Sequence, residues 1–296
     1  MDTPQIEVPE LAKEVGVPRL FLKREDLHQY GSHKGRSIPH MIDVYTAQGN
    51  RDFVISSSGN AALAALRHIQ KRNDALIDPK NLEKDRVTLE IILGERVSSE
   101  KRARIEREIR AGDPITVVEH PRPLQALFAA VKGRRKTSLR QSTDDLALEG
   151  YESLAEELSH TPDLSAVFIP ASSGTAAQAV ARNFGERAQV HFVQTGQRHP
   201  LSETWDAVLE GGISLADAIV DVVAHRKAAL EAEIRKTGGR GWTVTNEEIS
   251  RAQALLRDKA NVEVTGNGAL ALAGLLRALS QGAKFSGAVV CVITGR

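Results

Sequence analysis

The stretch "DFVISSSGNAALAALRHIQ" (52–70) passes from a strand through a loop into a helix. Its residues FVIS are apolar and partly β-branched, which is typical of a buried strand. SSGN is a turn sequence, and AALAALRHI carries small apolar residues at helical spacing. A buried strand that leads directly into a helix is the repeating unit of a parallel sheet covered by helices.

The same alternation recurs along the chain and predicts an α/β fold with mostly parallel strands flanked by helices. Ser98 or Ser99 is expected to cap one of these helices and Gly112 to end it. The polar stretch 132–150 interrupts the alternation and is expected to connect two lobes. Its basic residues are interpreted as a solvated loop. The further strands and helices are predicted at "VTLEIILG" (87–94), "SSEKRARIEREIRAG" (98–112), "PITVVEH" (114–120), "PLQALFAAVKG" (123–133), "SAVFIP" (165–170), "QVHFVQTG" (189–196), "NGALALAGLLRALS" (267–280) and "GAVVCVITG" (287–295).

Composition excludes several classes of protein. The chain has 296 residues, 26% of them charged, with a formal net charge of +1, so no basic excess supports nucleic-acid binding. A single cysteine, Cys291, allows no intramolecular disulfide and favours a reducing compartment. The amino terminus lacks an apolar signal segment, and no apolar run is long enough to span a bilayer. We therefore expect a cytoplasmic protein with no membrane partner.

Two hydroxyl-rich loops follow predicted strands, where parallel sheets bind ligands. In "SSSGN" (56–60), the side chains of Ser57, Ser58 and Asn60, together with the amides around Gly59, suit a carboxylate or a phenolate. In "ASSGTA" (171–176), the hydroxyl groups and the glycine suit a phosphate. Helix capping would explain either loop without a ligand, and both interpretations stay open at this point.

Other motifs of nucleotide, metal or hydrolase chemistry are missing from the sequence. No Gly-Lys dipeptide occurs, which excludes a P-loop, and no G-x-S-x-G elbow is present. The histidines form no H-E-x-x-H motif, and one cysteine cannot build a thiolate site, so no metal is expected.

Several motifs together resemble one enzyme family. "LFLKREDLHQYGSHKGR" (20–36), "LALEGYESLAEEL" (146–158), "ISLADAI" (213–219) and "VEVTGNGALALAGLL" (262–276) occur in order with the two loops and the terminal "VVCVITG". This order resembles the fold-type II pyridoxal-phosphate (PLP) enzymes, which include threonine synthase, threonine and serine dehydratases, cysteine synthase and the tryptophan synthase β chain. The resemblance spans the chain from residue 20 to its end.

The resemblance implies a role for each motif residue. Lys34 would form the Schiff base with pyridoxal 5′-phosphate, and Asn60 would bind the phenolic oxygen of the cofactor. Ser57, Ser58, Gly59 and Asn60 would hold the substrate carboxylate. Thr294 would face the pyridine nitrogen. The phosphate would lie in the second loop, on Ser172, Ser173, Gly174 and Thr175.

The resemblance also implies an architecture with two lobes, in which residues 37–140 form the small lobe and residues 1–36 and 141–296 the large one. The cofactor would lie in the cleft between the lobes, and the enzyme would be a homodimer. The expected activity is elimination or replacement at the β or γ carbon of a small amino acid, as in threonine synthase or dehydratase. Replacement on serine or O-acetylserine and a non-catalytic binding descendant are the alternatives. Gly35, where many threonine synthase-like members carry aspartate, is a departure from the family pattern.

Overall fold

The computed structural model describes residues 2–76 and 82–295, which form two compact units. The terminal unit combines the residues up to His28 with those from Tyr151 onward, and the inserted unit is Gln29–Gly150. The predicted small lobe, 37–140, falls inside the inserted unit. The lobe boundaries given by the resemblance remain a prediction.

Strands and helices alternate through most of the chain. The strands are β1 (Gln5–Glu7), β2 (Arg19–Arg24), β3 (Asp52–Ser56), β4 (Thr88–Gly94), β5 (Ile115–His120), β6 (Thr137–Ser138), β7 (Leu164–Pro170), β8 (Gln189–Thr195), β9 (Gly241–Val244) and β10 (Ala288–Ile293). The helices are α1 (Pro9–Val15), α2 (Lys34–Ala47), α3 (Asn60–Asp74), α4 (Leu82–Asp85), α5 (Ser99–Glu106), α6 (Pro123–Arg134), α7 (Leu146–Glu149), α8 (Glu152–Ser159), α9 (Thr175–Phe184), α10 (Lys227–Lys236), α11 (Asn246–Ala260) and α12 (Gly266–Ser280).

The terminal unit contains a sheet of order β1-β2-β10-β7-β8-β9, in which β1 is antiparallel to β2 and the other neighbours are parallel. Every residue of β10 is buried, as expected for a central strand covered on both faces. Cys291 lies in β10, and burial raises the pKa of its thiol. Cys291 is therefore a core residue of this sheet.

The inserted unit contains a second sheet, of order β5-β4-β3-β6, whose strands are all parallel. Its core joins the apolar faces of α2 and α3 to β3 and β4, with Ile38, Phe53 and Leu63 fully or almost fully buried. The predicted α/β fold with mostly parallel sheets is confirmed. Among the described residues, no helix combines the length and apolar character that a membrane span needs.

Two local predictions had different outcomes in α5. Ser98 caps this helix, since its hydroxyl accepts a hydrogen bond from the amide of Lys101 at 3.3 Å. Gly112 does not end it, because α5 stops at Glu106. After the helix, the amide of Arg110 donates a hydrogen bond to the Asp113 carboxylate at 2.7 Å, and this bond closes a separate turn.

The polar stretch 132–150 has more regular structure than its sequence indicates. It contains the end of α6, the edge strand β6, which pairs with β3, and the short helix α7. Lys136, in its basic run, forms an ion pair with Glu90 at 2.9 Å. The whole stretch belongs to the inserted unit.

Gly150 allows the segment after α7 to approach α2 closely. A Cβ atom at this position would lie 2.5 Å from the Cα atom of Ser37 and 2.9 Å from the carbonyl oxygen of Arg36. The Ser37 hydroxyl also donates a hydrogen bond to the carbonyl oxygen of Ala147 at 3.0 Å. The first turns of α2 are therefore held against α7 by a contact between backbones.

The substitution Gly150→Ala should destabilise the protein by about 2 kcal/mol, because the clash is with backbone that cannot rotate away. Urea unfolding measures this loss. Gly133→Ala is the matched control, since a Cβ atom there meets nothing within 4 Å and Gly133 lies inside α6. The control should be neutral or more stable by about 0.5 kcal/mol. Equal stability of both variants would contradict the packing argument.

Arg277 ties three segments of the terminal unit together. Its guanidinium contacts both carboxylate oxygens of Asp206, at 2.5 and 3.1 Å, and Glu248 at 3.0 Å. Burial pushes the pKa of Asp206 upward, but hydrogen bonds from Arg277 and the amide of Thr243 outweigh burial and hold that pKa below its usual value. A carboxyl group with a lowered pKa stabilises the folded state above its unfolded-state pKa, and this contribution is lost as the pH falls through the folded-state value.

The substitution Arg277→Met should therefore lower the free energy of unfolding by about 2 kcal/mol at neutral pH. The difference from wild type should shrink as the pH falls from about 4, the usual aspartate pKa, through the lowered pKa of Asp206. Denaturant titrations at several pH values test this. Arg182→Met is the control, because Arg182 and its ion-pair partner Glu152 are both about half exposed (48% and 49%). This substitution should change the free energy of unfolding by less than about 1 kcal/mol. A pH-independent loss in Arg277→Met would contradict the assignment.

Candidate active site

Lys34 is the first residue of α2, and its position is set by the tight segment before it. The amide of Lys34 donates a hydrogen bond to the buried hydroxyl of Ser32 at 3.3 Å. Gly31 has a positive φ of 80°, and a Cβ atom there would lie 3.1 Å from the Arg67 guanidinium. Lys34 therefore begins α2 directly after this tight segment.

The loop Ser57–Asn60 joins β3 to α3. Gly59 is the N-cap of α3, and its amide donates a hydrogen bond to the Ser57 hydroxyl at 3.3 Å. No side chain caps α3, so the loop does not serve the capping role that its composition allowed. Helix capping therefore does not explain the serines and Asn60, and their role in ligand binding stays a prediction.

Lys34 and Asn60 begin helices at the same edge of the inserted unit's sheet. The helix α2 ends at Ala47, shortly before β3 begins at Asp52, so it runs back against that strand, and α3 begins just after β3 ends. The two helices lie side by side. Asp43 of α2 forms an ion pair with Arg72 of α3 at 2.8 Å and, where His68 is protonated, with His68 at 3.0 Å. Both helix starts therefore lie at the carboxyl end of β3, the usual ligand edge of parallel sheets.

The second loop, 171–175, joins β7 to α9 in the terminal unit. Gly174 is the N-cap of α9 with φ of +80°, and no side chain caps this helix either. The hydroxyls of Ser173 and Thr175 lie 2.9 Å apart. The amides and hydroxyl groups thus gather at an uncapped helix start, a donor set suited to a phosphate.

Thr294 directly follows β10 and is almost fully buried. β10 pairs in parallel with β7, with Cys291 opposite Phe168. Continuing this register brings Thr294 level with the start of the loop 171–175, at the carboxyl edge of the terminal unit's sheet. The predicted site residues thus form two groups, one at the ligand edge of each unit's sheet.

The family model for pyridoxal-phosphate dependent enzymes matches residues 1–295. This chain belongs to that family. A threonine synthase from Halalkalibacterium halodurans is 25% identical over 314 aligned residues, which cover 99% of this chain and 81% of that protein. Maize serine racemase has a similar fold, with a TM-score of 0.80, 16% identity, and coverage of 99% of this chain and 87% of that one. A processed threonine deaminase from Solanum lycopersicum gives a TM-score of 0.77 at 19% identity, covering all of this chain and 79% of that one.

The residues present suit the three polar parts of pyridoxal phosphate, the cofactor of this family. Lys34 would supply a primary amine for the aldehyde, and the uncapped start of α9 would supply amide and hydroxyl donors for the phosphate. Thr294 would supply an uncharged hydroxyl for the pyridine nitrogen. The chemistry of the donor set therefore fits the cofactor.

Two residues at the loop 171–175 were missed by the sequence reasoning. The Ser172 hydroxyl donates a hydrogen bond to the Asp221 carboxylate at 2.6 Å and accepts from the amides of Val220 and Asp221 at 3.2 and 3.3 Å. Asp221 lies in the irregular segment between β8 and α10, where no local pattern signals its partner. Gln194 contacts the loop from β8, and its place near the carboxyl end of a buried strand was the available signal.

The Asp221 carboxylate places a negative charge beside the loop predicted to receive a phosphate. Replacing it by Asn keeps an acceptor for the Ser172 hydroxyl but removes the charge. We expect Asp221→Asn to bind pyridoxal phosphate about threefold more tightly, as judged from the Coulomb energy of two charges a few ångströms apart at the surface. Titration followed by absorbance measures this. Asp258→Asn on α11, with the same charge change elsewhere, should bind as wild type, and unchanged or weaker binding in Asp221→Asn would contradict the expectation.

Proposed function

We propose that this chain is a pyridoxal-phosphate-dependent lyase that catalyses elimination or replacement at the β or γ carbon of a small amino acid. The observation that carries the proposal is the pair of uncapped, hydroxyl-rich helix starts, α3 and α9, in a chain of this family that also keeps Lys34 and Thr294. The threonine synthase relative, aligned over 99% of this chain, favours threonine-type chemistry.

When bound, pyridoxal phosphate withdraws electrons from the Cα atom of an amino acid. Lys34 would hold the cofactor through its Nζ atom and, once released, would remove the proton from the substrate Cα atom. Lys34 lies at the start of α2, directly after the tight segment that contains Gly31 and Ser32. The packing of α2 on α7 through Gly150 keeps that helix start in place.

The loop Ser57–Asn60 would bind the substrate carboxylate, and Asn60 would also bind the phenolic oxygen of the cofactor. Its hydroxyls and the amides of the first turn of α3 are donors, and the end of the helix favours negative charge. Ser172, Ser173, Gly174 and Thr175 would bind the cofactor phosphate in the same way at the start of α9.

Thr294 bears on the type of reaction. A threonine hydroxyl carries no charge and cannot keep a proton on the pyridine nitrogen as an aspartate would. Weaker electron withdrawal into the ring favours elimination or replacement over transamination. Gly35 follows Lys34 at a position where many threonine synthase-like members carry aspartate. Because of this departure, replacement on serine or O-acetylserine is the second candidate.

A homodimer in the cytoplasm completes the proposal. Apolar side chains are exposed along the irregular segment of the terminal unit between β8 and α10, which supports a subunit interface. Light scattering of the purified protein tests the assembly. The exposed residues are Leu209, Ile213, Leu215, Val220, Val222 and Val223.

Borohydride reduction of the protein incubated with pyridoxal phosphate should attach the cofactor to the peptide that contains Lys34. The substitution Lys34→Ala should abolish this attachment, because the nucleophilic amine is gone, whereas Lys71→Ala on α3 should leave it unchanged. Mass spectrometry of the digested protein gives the readout. Absence of any attached cofactor in the wild type would refute the catalytic assignment and leave the binding descendant.

A substrate screen distinguishes the two candidate reactions. Threonine, serine, O-phosphohomoserine, and O-acetylserine with sulfide would each be incubated with the holoenzyme, followed by measurement of 2-oxo acids and new amino acids. We expect 2-oxo acid or threonine as product. Turnover confined to O-acetylserine with sulfide would instead establish the replacement enzyme, and interconversion of serine enantiomers alone would exclude both.

A further inference from the structure

Gln194 is a fully buried side chain of β8 whose amide group bonds to two segments at once. Its Nε2 atom lies 3.2 Å from the carbonyl oxygen of Ala171 and 3.4 Å from that of Ser172. Its Oε1 atom accepts hydrogen bonds from the amides of Leu201 and Ser202, at 2.9 and 3.1 Å, and from the Ser202 hydroxyl at 3.4 Å. Only this orientation of the amide sets donors against acceptors on both sides.

The two carbonyl contacts decide where the neighbouring N–H groups point. In a planar trans peptide, the C=O and N–H bonds point in opposite directions, and the described chain contains no cis peptide bond. Gln194 draws the carbonyls of Ala171 and Ser172 toward the sheet, so the N–H groups of Ser172 and Ser173 point away from it. Within the described residues, neither N–H group donates a hydrogen bond to a protein acceptor. A buried side chain thus orients two amide donors in the loop predicted to bind phosphate.

The Oε1 atom of the Gln194 amide holds a second segment, which contains Leu201 and Ser202. Leu201 and Leu230 crowd Gly174, since a Cβ atom there would lie 3.1 and 2.8 Å from their side chains. The Ser202 hydroxyl lies 2.7 Å from that of Thr243 in β9. The segment that Gln194 Oε1 holds is therefore the one that packs under the start of α9.

We propose that Gln194 is a positioning residue for the cofactor phosphate, orienting the N–H groups of Ser172 and Ser173 toward it. The inference rests on the proposed function, because it assigns the loop 171–175 to the phosphate. It predicts that Gln194 matters for ligands that carry the phosphate and not for ligands that lack it. Gln194 itself touches no substrate or cofactor atom in this assignment.

The test compares pyridoxal phosphate with pyridoxal, which lacks the phosphate, by titration of Gln194→Glu. Glutamate keeps the shape and the acceptor for Leu201 and Ser202 but, when ionised, cannot donate to the two carbonyls. We expect the Kd for pyridoxal phosphate to rise about tenfold or more, as is typical for hydrogen bonds to charged groups, with the Kd for pyridoxal changed less than about twofold. Gln194→Met is uncharged and similar in volume. It should also raise the Kd for pyridoxal phosphate and leave that for pyridoxal nearly unchanged, and it replaces the glutamate variant in the test if that variant does not fold.

Gln253→Glu is the matched control, because the Gln253 side chain donates a hydrogen bond to the carbonyl of Val264 at 3.0 Å, away from the loop. It should leave both affinities unchanged. An equal loss for both ligands in the Gln194 variants would overturn the inference, as would no loss for either. Cofactor attachment at Lys34 in the wild type, with no phosphate-specific loss in the variants, would reject this inference alone. Absence of attachment would reject the proposed function.

Discussion

The pairing of β10 with β2 on one side and β7 on the other is the interaction on which the terminal unit depends. β2 lies near the start of the chain and β10 near its end, so the sheet closes only after the inserted unit has been synthesised. Parallel strands cannot be joined by tight turns, and the crossovers between them carry the helices. The same constraint brings the end of β10 and the loop after β7 to one edge. Thr294 and the loop 171–175 are neighbours for this reason.

Two side chains from outside the loop 171–175 bind it. From the core, Gln194 binds its carbonyls and turns its amides outward. From the irregular segment, Asp221 binds the Ser172 hydroxyl with a carboxylate. The first contact orients two amide donors of the loop, and the second places an anionic side chain of the protein against the same loop. Gln194 is fully buried, whereas Asp221 follows the exposed Val220, so the contact with Gln194 is the better shielded from solvent and salt.

The places of the candidate site residues in the fold followed from local sequence, because each loop lies between a strand and a helix that the sequence shows clearly. Lys34, the Ser57–Asn60 loop and the 171–175 loop all lie at helix starts. Whether a loop serine caps its helix was not accessible in this way. Ser98 and the serines of the two loops have the same local setting, yet only Ser98 caps its helix. The direction of a hydroxyl depends on the backbone angles of the turn, which composition does not specify.

The sequence by itself determined the alternation of strands and helices and the order of the chemical motifs, because apolar periodicity and turn residues act over short distances. It also indicated the family, which the match over residues 1–295 established. Only the tertiary structure decided that Gln194 binds the loop 171–175, that Asp221 reaches Ser172, and that β6 extends the inserted unit's sheet. Each of these contacts joins residues far apart in the chain through only a few hydrogen bonds. Such contacts leave no periodic pattern, since what specifies them is the packing of whole elements.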